Sequence, residues 1–377
     1  MKGRSTPKIL FILPLPPPYH GSSVISEQLS RSRVLNQSFE CHFINLSTSR
    51  TICEIGRKPF RKIYRYVVLL FNVIHELWTF RPALCYIAIT AKGIGFYKDA
   101  LIALVVKIFG VRIVYHFHNK GASTRQNYML DDLAYRLTFH DSYAIILSNR
   151  LHYDIRKYFP KDKVFVCPNG IAALEVDLKR RSELTKPPEI SRLLFLSNLI
   201  ESKGVFVLLE ACRILAEKRI AYICTYVGNE GDVRGQELLF KVHELGLDDR
   251  VEYLGAKYGS EKEQILQTAG IFVFPSYYDY ECMPLVIMEA MQHGLPVVST
   301  SEGAIPDLVI DGTTGFLVSK NNPEELAERL EVLIRNPELC KKMGDAGRLR
   351  YDKNFSLKEF ENRIVSILSS ILESENA

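Results

Sequence analysis

The stretch Ile271-Phe272-Val273-Phe274-Pro275-Ser276-Tyr277-Tyr278-Asp279-Tyr280-Glu281-Cys282-Met283-Pro284 runs directly into Leu285-Val286-Ile287-Met288-Glu289-Ala290-Met291. Ile271–Pro275 reads as a buried strand, because a short, continuous apolar run bounded by turn residues suits a parallel sheet covered on both faces. The run after Pro284 reads as a helix, with the fixed φ of proline suited to the first helical position. The unit is strand, turn, helix.

That unit recurs in both directions along the chain. Upstream, Leu193–Ser197, Tyr222–Gly228 and Val251–Gly255 read as strands, and Val205–Glu217 as a helix. Downstream, Val297–Thr300 and Phe316–Val318 continue the series, and Leu357–Leu372 is amphipathic and helical. The first half repeats the pattern: Ile9–Leu13, His42–Leu46, Leu84–Thr90, Val111–His116, Tyr143–Leu147 and Val164–Cys167 read as strands. Phe96–Phe109 and Asn149–Tyr158 read as helices between them. The alternation pauses at Leu174–Glu189, rich in charge and ending in Lys186-Pro187-Pro188, which reads as a linker. The expectation is an α/β fold of two tandem Rossmann-like, doubly wound domains. A length of 377 residues suits two domains, and 47% apolar with 24% charged residues excludes disorder.

Positions 1–170 hold 24 Lys and Arg against 10 Asp and Glu, a balance of +14; the rest balances to −9. Such a split suggests two units with different partners, the basic half attracting phosphates, nucleic acid or an anionic membrane surface. The basic cluster Arg57, Lys58, Arg61, Lys62 and Arg65 precedes an apolar, aromatic stretch to Phe80. It reads either as an interfacial helix on anionic lipid or as a core helix with a solvated basic first turn. The eight cysteines include no C-x-x-C pair and no zinc spacing, so free thiols in a reducing compartment are expected. The sequons at Asn36, Asn45 and Asn354 then carry no weight. Lys2, Arg4 and Lys8 before Ile9–Leu13 mimic a short signal peptide, but prolines follow at once, and a buried first strand is the better reading.

In open α/β sheets ligands sit beyond the carboxyl ends of strands. Four strand-end turns are therefore candidates. After the first strand, Gly21 would let amides approach an anion at a helix N-terminus, with Ser22 or Ser23 as cap. At Val114–Lys120, His116 and His118 alternate and share a face, so a histidine at a strand end is placed to meet a substrate hydroxyl, a metal or a structural partner. In Leu196–Val205, Lys203-Gly204 opens a helix, and Lys203 would set its ammonium near a diphosphate or simply be solvated. In the opening stretch, Glu289 inside an apolar helix is costly to bury unless partnered. Two vicinal ribose hydroxyls would satisfy it, while the amides of Cys282 and Met283 would face an anion or a sugar hydroxyl. Glu281 and Glu289 taken separately also suit a salt bridge or a contact with the helix dipole. No G-x-G-x-x-G follows a strand, which disfavours a nicotinamide or flavin enzyme.

Together these residues resemble the retaining glycosyltransferases of family 4, with GT-B architecture, two Rossmann-like domains facing across a cleft. The resemblance rests on the pair Glu281 and Glu289 with seven residues between them, on Pro275-Ser276, Met283-Pro284, Glu289-Ala290-Met291 and Gly294–Val298. Pro168–Ile171, Gly303 with Pro306, and Asp311–Val318 fit as well. It implies an acceptor-binding domain over 1–172, joined by the terminal helix 357–377, and a nucleotide-sugar domain over 173–356. It implies that Glu289 holds the donor ribose, that Glu281, Cys282, Met283 and Pro284 contact the transferred sugar, and that Lys203 neutralises the diphosphate with help from Gly21. His118 would line the reacting centre, and Tyr253 and Leu254 would flank the base. Asn198 stands on the donor side where the family usually carries arginine. The implied function is transfer of a sugar, with retention, from a nucleotide-diphosphate sugar to a glycan or lipid-linked acceptor in cell-surface polysaccharide biosynthesis. No Asp-x-Asp motif appears, so neither metal nor other cofactor is expected, nor any nucleic-acid partner. The protein is expected in the cytoplasm, with contact to the inner membrane face. The alternatives are a sugar-nucleotide epimerase of the same fold and a degenerate, non-catalytic sugar-nucleotide-binding protein.

Overall fold

The computed structural model describes residues 6–17, 19–47, 59–173 and 190–374, and side chains from residue 62 onward in the helix that opens at Pro59. The expected linker Leu174–Glu189, and Arg57, Lys58 and the Arg61 side chain, lie outside the described residues. Six strands, β1 (Lys8–Leu13), β2 (Glu40–Asn45), β3 (Leu84–Ile89), β4 (Arg112–Phe117), β5 (Tyr143–Ile146) and β6 (Val164–Val166), form one sheet. Its order is β2-β1-β3-β4-β5-β6 and every pairing is parallel. Six more, β7 (Ser191–Leu196), β8 (Tyr222–Val227), β9 (Val251–Tyr253), β10 (Ile271–Phe274), β11 (Val297–Thr300) and β12 (Gly315–Val318), form the second sheet. Its order is β12-β11-β10-β7-β8-β9, again all parallel. Two doubly wound α/β sheets are what the alternating apolar runs demand, since parallel strands must be covered on both faces.

The chain divides into two compact units, residues 1–170 with 357–377, and residues 171–356. The first contains helices α1 (Gly21–Ser30), α2 (Arg33–Ser38), α3 (Pro59–Thr79), α4 (Gly93–Ile108), α5 (Ala122–Arg125) and α6 (Met129–Phe139). The second contains α7 (Val205–Glu217), α8 (Gly235–Glu244), α9 (Gly259–Thr268), α10 (Leu285–Gln292), α11 (Ile305–Leu308), α12 (Pro323–Arg335) and α13 (Pro337–Asn354). The terminal helix α14 (Leu357–Glu373) returns to the first unit, where Arg112 donates to the Ile371 carbonyl at 2.7 Å. Helix ends follow local chemistry: the Asn322 side chain accepts from Glu325 N at 3.0 Å and Asn336 from Leu339 N at 3.0 Å, each satisfying an orphan amide beside a proline that needs none.

Two local expectations change. Ser22 and Ser23 do not cap α1. His20 does, its Nδ1 accepting from Ser23 N at 3.3 Å while Ser23 Oγ accepts from His20 N at 2.9 Å. The ring nitrogen offers the same kind of lone pair that a serine oxygen would, two residues before Ser22. Asn149–Tyr158 is not an α-helix; a 3-10 stretch covers Asn149–Asp154. Its last carboxylate is drawn away to accept from the amides of Gly121, Ala122 and Ser123 at 2.9–3.1 Å.

Candidate functional site

In the second unit the strand order reverses between β7 and β10, the kind of switch point at whose carboxyl edge ligands of open α/β sheets bind. The loop after β7 ends in one 3-10 turn, Glu201–Lys203, and enters α7 through Gly204 at φ +90°. That left-handed backbone favours glycine. There is also no room for a side chain: a Cβ at Gly204 would lie 2.4 Å from the Pro275 carbonyl oxygen. Tyr277 N donates to Ser202 O at 2.8 Å, so the loops after β7 and β10 are bonded backbone to backbone. Gly303 clamps the second loop from its far side, where a Cβ would sit 2.3 Å from Glu281 O, and Ala304 N donates to Cys282 O at 2.7 Å.

This frame brings Lys203 and Glu281 together. The ammonium lies 3.4 Å from Glu281 Oε2 and 5.6 Å from the centres of both the Phe274 and Tyr278 rings. Glu281 is buried, and Oε2 makes no hydrogen bond. Glu289, on α10, has one oxygen 2.8 Å from Lys262 Nζ of α9, while its Oε2 is buried with no partner. Lys262 was not legible in the sequence, because nothing in its own stretch marks it and its partner lies 27 residues away. The other neighbour of Glu289 is His293, whose Nδ1 is 2.8 Å from the Glu289 carbonyl and whose Nε2 is 2.7 Å from Glu263.

The remaining sequence candidates fall as follows. Cys282 and Met283 are buried. Pro284 is the N-cap and not the first helical residue, since its ψ of 121° is extended and α10 opens at Leu285. Asn198 is exposed at the turn, its carbonyl accepting from Ile200 N at 2.8 Å. Tyr253 spends its hydroxyl on Gly228 O at 2.9 Å and packs its ring where Gly235 has no side chain. Leu254 is partly exposed just past β9.

In the first unit Gly21 is exposed as the first residue of α1. His118, just past β4, shares its surroundings with His20 and Asn169 from two other strand-end loops. Burial pushes its imidazole down to about 4; the His20 charge adds to this and the Asn169 side chain opposes it. His116 is fully buried behind it, the two rings 4.1 Å apart. Burial, then the charge of His118, holds His116 well below the usual histidine range. The Tyr86 hydroxyl, kept protonated because burial raises it well above the usual phenol range, is hydrogen-bonded to His116 Nδ1. His116 Nε2 and His118 Nδ1 have no hydrogen-bond partner. The site edge of the first unit is thus a neutral histidine pair. Tyr86 and His20 were missed in the sequence because each reaches the pair from a different strand.

Lys62 and Arg65 are half-buried on the opening turns of α3. Among the described residues, no helix is long and apolar enough to cross a membrane, and no group of three His, Cys, Asp or Glu is placed to hold a metal ion.

Residues 177–350 match the sequence model of a family described as glycosyl transferases group 1. The chain is 32% identical over 230 residues to the amylovoran biosynthesis glycosyltransferase AmsK of Erwinia amylovora, covering 59% of this chain and 55% of that protein. It is 31% identical over 220 residues to the putative colanic acid biosynthesis glycosyltransferase WcaL of Escherichia coli K12, covering 56% of this chain and 52% of that one. The chain therefore spans about half the length of the curated relatives it matches. Its fold is similar to that of Anabaena HepE solved in complex with UDP, with a TM-score of 0.74 at 17% identity over 97% of this chain and 100% of that one. The segment similar to the glycosyl transferases group 1 model, residues 177–350, ends within the second unit, residues 171–356, and takes in both Lys203–Glu281 and Lys262–Glu289.

Proposed function

We propose that the protein is a retaining glycosyltransferase of the family-4 kind. It moves a hexosyl group from a nucleotide-diphosphate sugar to a glycan or lipid-linked acceptor during polysaccharide assembly. The observation that carries this reading is the pair of buried carboxylate oxygens that accept no hydrogen bond, Glu281 Oε2 and Glu289 Oε2, in the matched segment. Buried acceptors without donors are rare and costly, and sugar hydroxyls are the donors that would satisfy them. AmsK and WcaL, named for amylovoran and colanic acid biosynthesis, support a polysaccharide product. HepE, solved with UDP and with UDP-glucose, supports a nucleotide sugar as donor.

In this reading Glu289 accepts from the ribose hydroxyls and Glu281 from the transferred sugar. Lys203 leaves Glu281 for the diphosphate and stabilises the negative charge that grows on the leaving phosphate as the glycosidic bond breaks. The acceptor hydroxyl attacks from the same face, and the departing phosphate takes its proton. Neutral His118 offers a hydrogen bond to a sugar hydroxyl without adding charge, and Gly21 lends its amide to the anion. Asn198 leaves Lys203 as the main cation on the diphosphate. The reaction so written uses no metal. Lys62 and Arg65 contact an anionic membrane surface that presents the acceptor.

A panel of nucleotide sugars in a thermal-shift assay, with UDP-glucose as first probe, tests the reading. A cognate donor at a hundredfold over its Kd should stabilise the fold by about 2.7 kcal/mol. Glu289→Ala and Lys203→Ala should abolish the shift. If no nucleotide sugar shifts the wild type, or the shift survives both substitutions, the reading fails. Conversion of the sugar nucleotide with no acceptor present would favour the epimerase alternative, and binding without turnover the non-catalytic binding protein.

A further inference from the structure

Helix α4 packs against both α3 and α6, forming one layer over the first sheet. The inner faces of these helices are ordinary: Leu69, Val73, Leu77, Ala103, Val106 and Phe139 join a single core. The outer faces are not. On α3, Tyr64, Val67, Phe71, Ile74 and Trp78 recur at spacings of three and four and are exposed, Phe71 by 67% and Trp78 by 70%. On α4, Ile94, Leu101 and Ile108 form a second apolar stripe, with Ile94 89% and Ile108 82% exposed. On α6, Leu130, Leu133 and Leu137 do the same. Three adjacent helices thus carry apolar stripes on the side away from the core. Contiguous exposed apolar surface on an ordinary monomer seldom exceeds a few hundred Å², and larger patches mark interaction sites.

Charge selects the occupant. Positions 59–140 hold eleven Lys and Arg but four Asp and Glu. All four acids are already engaged: Glu76 by His42, Asp99 by Lys98, Asp131 by Arg125, and Asp132 by Arg136 and Lys157. At the α3 end of the layer, a cavity of about 490 Å³ is lined by Leu77, Trp78, Arg81, Phe109 and Arg112, among others. Arg81 holds a left-handed φ of 50°, uncommon for a residue with a side chain, at the mouth of the connection from α3 to β3.

We propose that the outer layer of α3, α4 and α6 is a face that inserts into one leaflet of an anionic bilayer. The apolar stripes enter the acyl boundary, Lys62 and Arg65 meet the surface charge, and the cavity between Trp78 and Phe109 takes an anionic head group against Arg81 and Arg112. An apolar face rimmed by basic groups is what binds in the plane of an interface. A second copy of this chain would bring the same positive charge against itself. The surface deepens the membrane contact suggested for the basic end of α3 and rests on that reading for its biological purpose, though not for its chemistry.

Vesicle flotation of the full chain tests it, using phosphatidylcholine vesicles with and without phosphatidylglycerol. The wild type should float with the mixed vesicles, and more weakly with phosphatidylcholine alone. F71E/L101E/L133E should be recovered with vesicles about ten-fold less, with an unchanged melting temperature because all three side chains are exposed. Arg81→Ala should lose the preference for phosphatidylglycerol while still binding. Absence of flotation by the wild type, or equal flotation by the triple variant, overturns the proposal. So does a wild-type dimer in light scattering that the triple variant converts to monomer, since the face would then belong to a second copy. The UDP-glucose thermal shift is read on the same proteins. A chain that floats as expected without any nucleotide-sugar shift supports the surface and counts against the donor reading of the second unit.

Discussion

Gly204→Ala is the sharpest probe of how the second unit builds its site. Two separable costs meet there. The left-handed backbone at φ +90° costs an alanine roughly 1–2 kcal/mol. The new Cβ would stand 2.4 Å from the Pro275 carbonyl oxygen, where real contacts begin near 3.0 Å, so one of the two loops must retreat. Forcing atoms into a packed site costs a further 1–3 kcal/mol, approximately, bringing the total to about 4 kcal/mol. For a unit of this size the melting temperature should fall by about 10 °C. Gly246→Ala is the matched control: φ is +64° and no atom lies within 4 Å of its Cβ, so only the backbone cost applies, for a fall of about 4 °C. The retreat also pulls apart the Ser202–Tyr277 backbone bond and the 3.4 Å Lys203–Glu281 contact. Thermal melts with and without nucleotide sugar read both consequences. Gly204→Ala should lose ligand-induced stabilisation, and Gly246→Ala should keep it in full. Equal melting temperatures for the two variants, with an intact ligand shift in Gly204→Ala, would refute the claim that a glycine-only backbone contact holds the two loops in register.

Two further outcomes follow from buried charge. Lys262→Ala strips the 2.8 Å partner from Glu289 and leaves a carboxylate to bear its burial alone, so nucleotide-sugar affinity in a titration should fall by about ten-fold while Lys262→Arg retains most of it. His118 is pushed down to about 4 by burial and by His20, so the folded protein holds fewer protons at this site than the unfolded chain. Its contribution is complete above pH 6.5, declines as pH falls toward 4 and then levels, amounting to at most about 3 kcal/mol; urea midpoints at pH 4.5 and 7.5 should therefore differ more in the wild type than in His118→Asn.

The strands were legible because buried parallel strands must be continuously apolar, and all twelve expected runs form them. Helix α7 matches its expected span, Val205–Glu217, to the residue. Lys203 and Glu281 were legible as candidates because strand-end turns are few and a charged residue in one is conspicuous. Their mutual contact was not, since it depends on β7 and β10 being neighbours, an order that local pattern does not encode. The same limit hid Lys262, which reaches Glu289 from another helix, and Tyr86, which reaches His116 across a strand pair. It also hid the outer layer of the first unit. An α4 that is apolar all round reads as a core helix, and only the packing of α3 and α6 beside it reveals that one of its sides faces water.

Among the described residues three buried carboxylate oxygens lack any hydrogen-bond partner: Asp99 Oδ1, Glu281 Oε2 and Glu289 Oε2. Asp99 has another way out, since burial raises its pKa and so favours the neutral form, and its other oxygen accepts from Thr90 N at 2.9 Å. The lysine beside Glu281 lies 3.4 Å from Oε2 without hydrogen-bonding it, and the lysine beside Glu289 meets only its other oxygen. Such half-satisfied pairs serve stability poorly, because the desolvation of both charges is returned only when every lone pair is met. An apolar pair of similar volume would suit a structural role better. The arrangement makes sense at strand ends, where a ligand carrying hydroxyls and an anion can complete it. Each hydroxyl that meets an orphan oxygen removes a penalty of about 1–3 kcal/mol that the empty site already bears. On the proposed function, a ligand lacking that hydroxyl would leave the penalty in place, and the unfinished hydrogen bonding of Glu281 and Glu289 would select between one sugar and its deoxy counterpart.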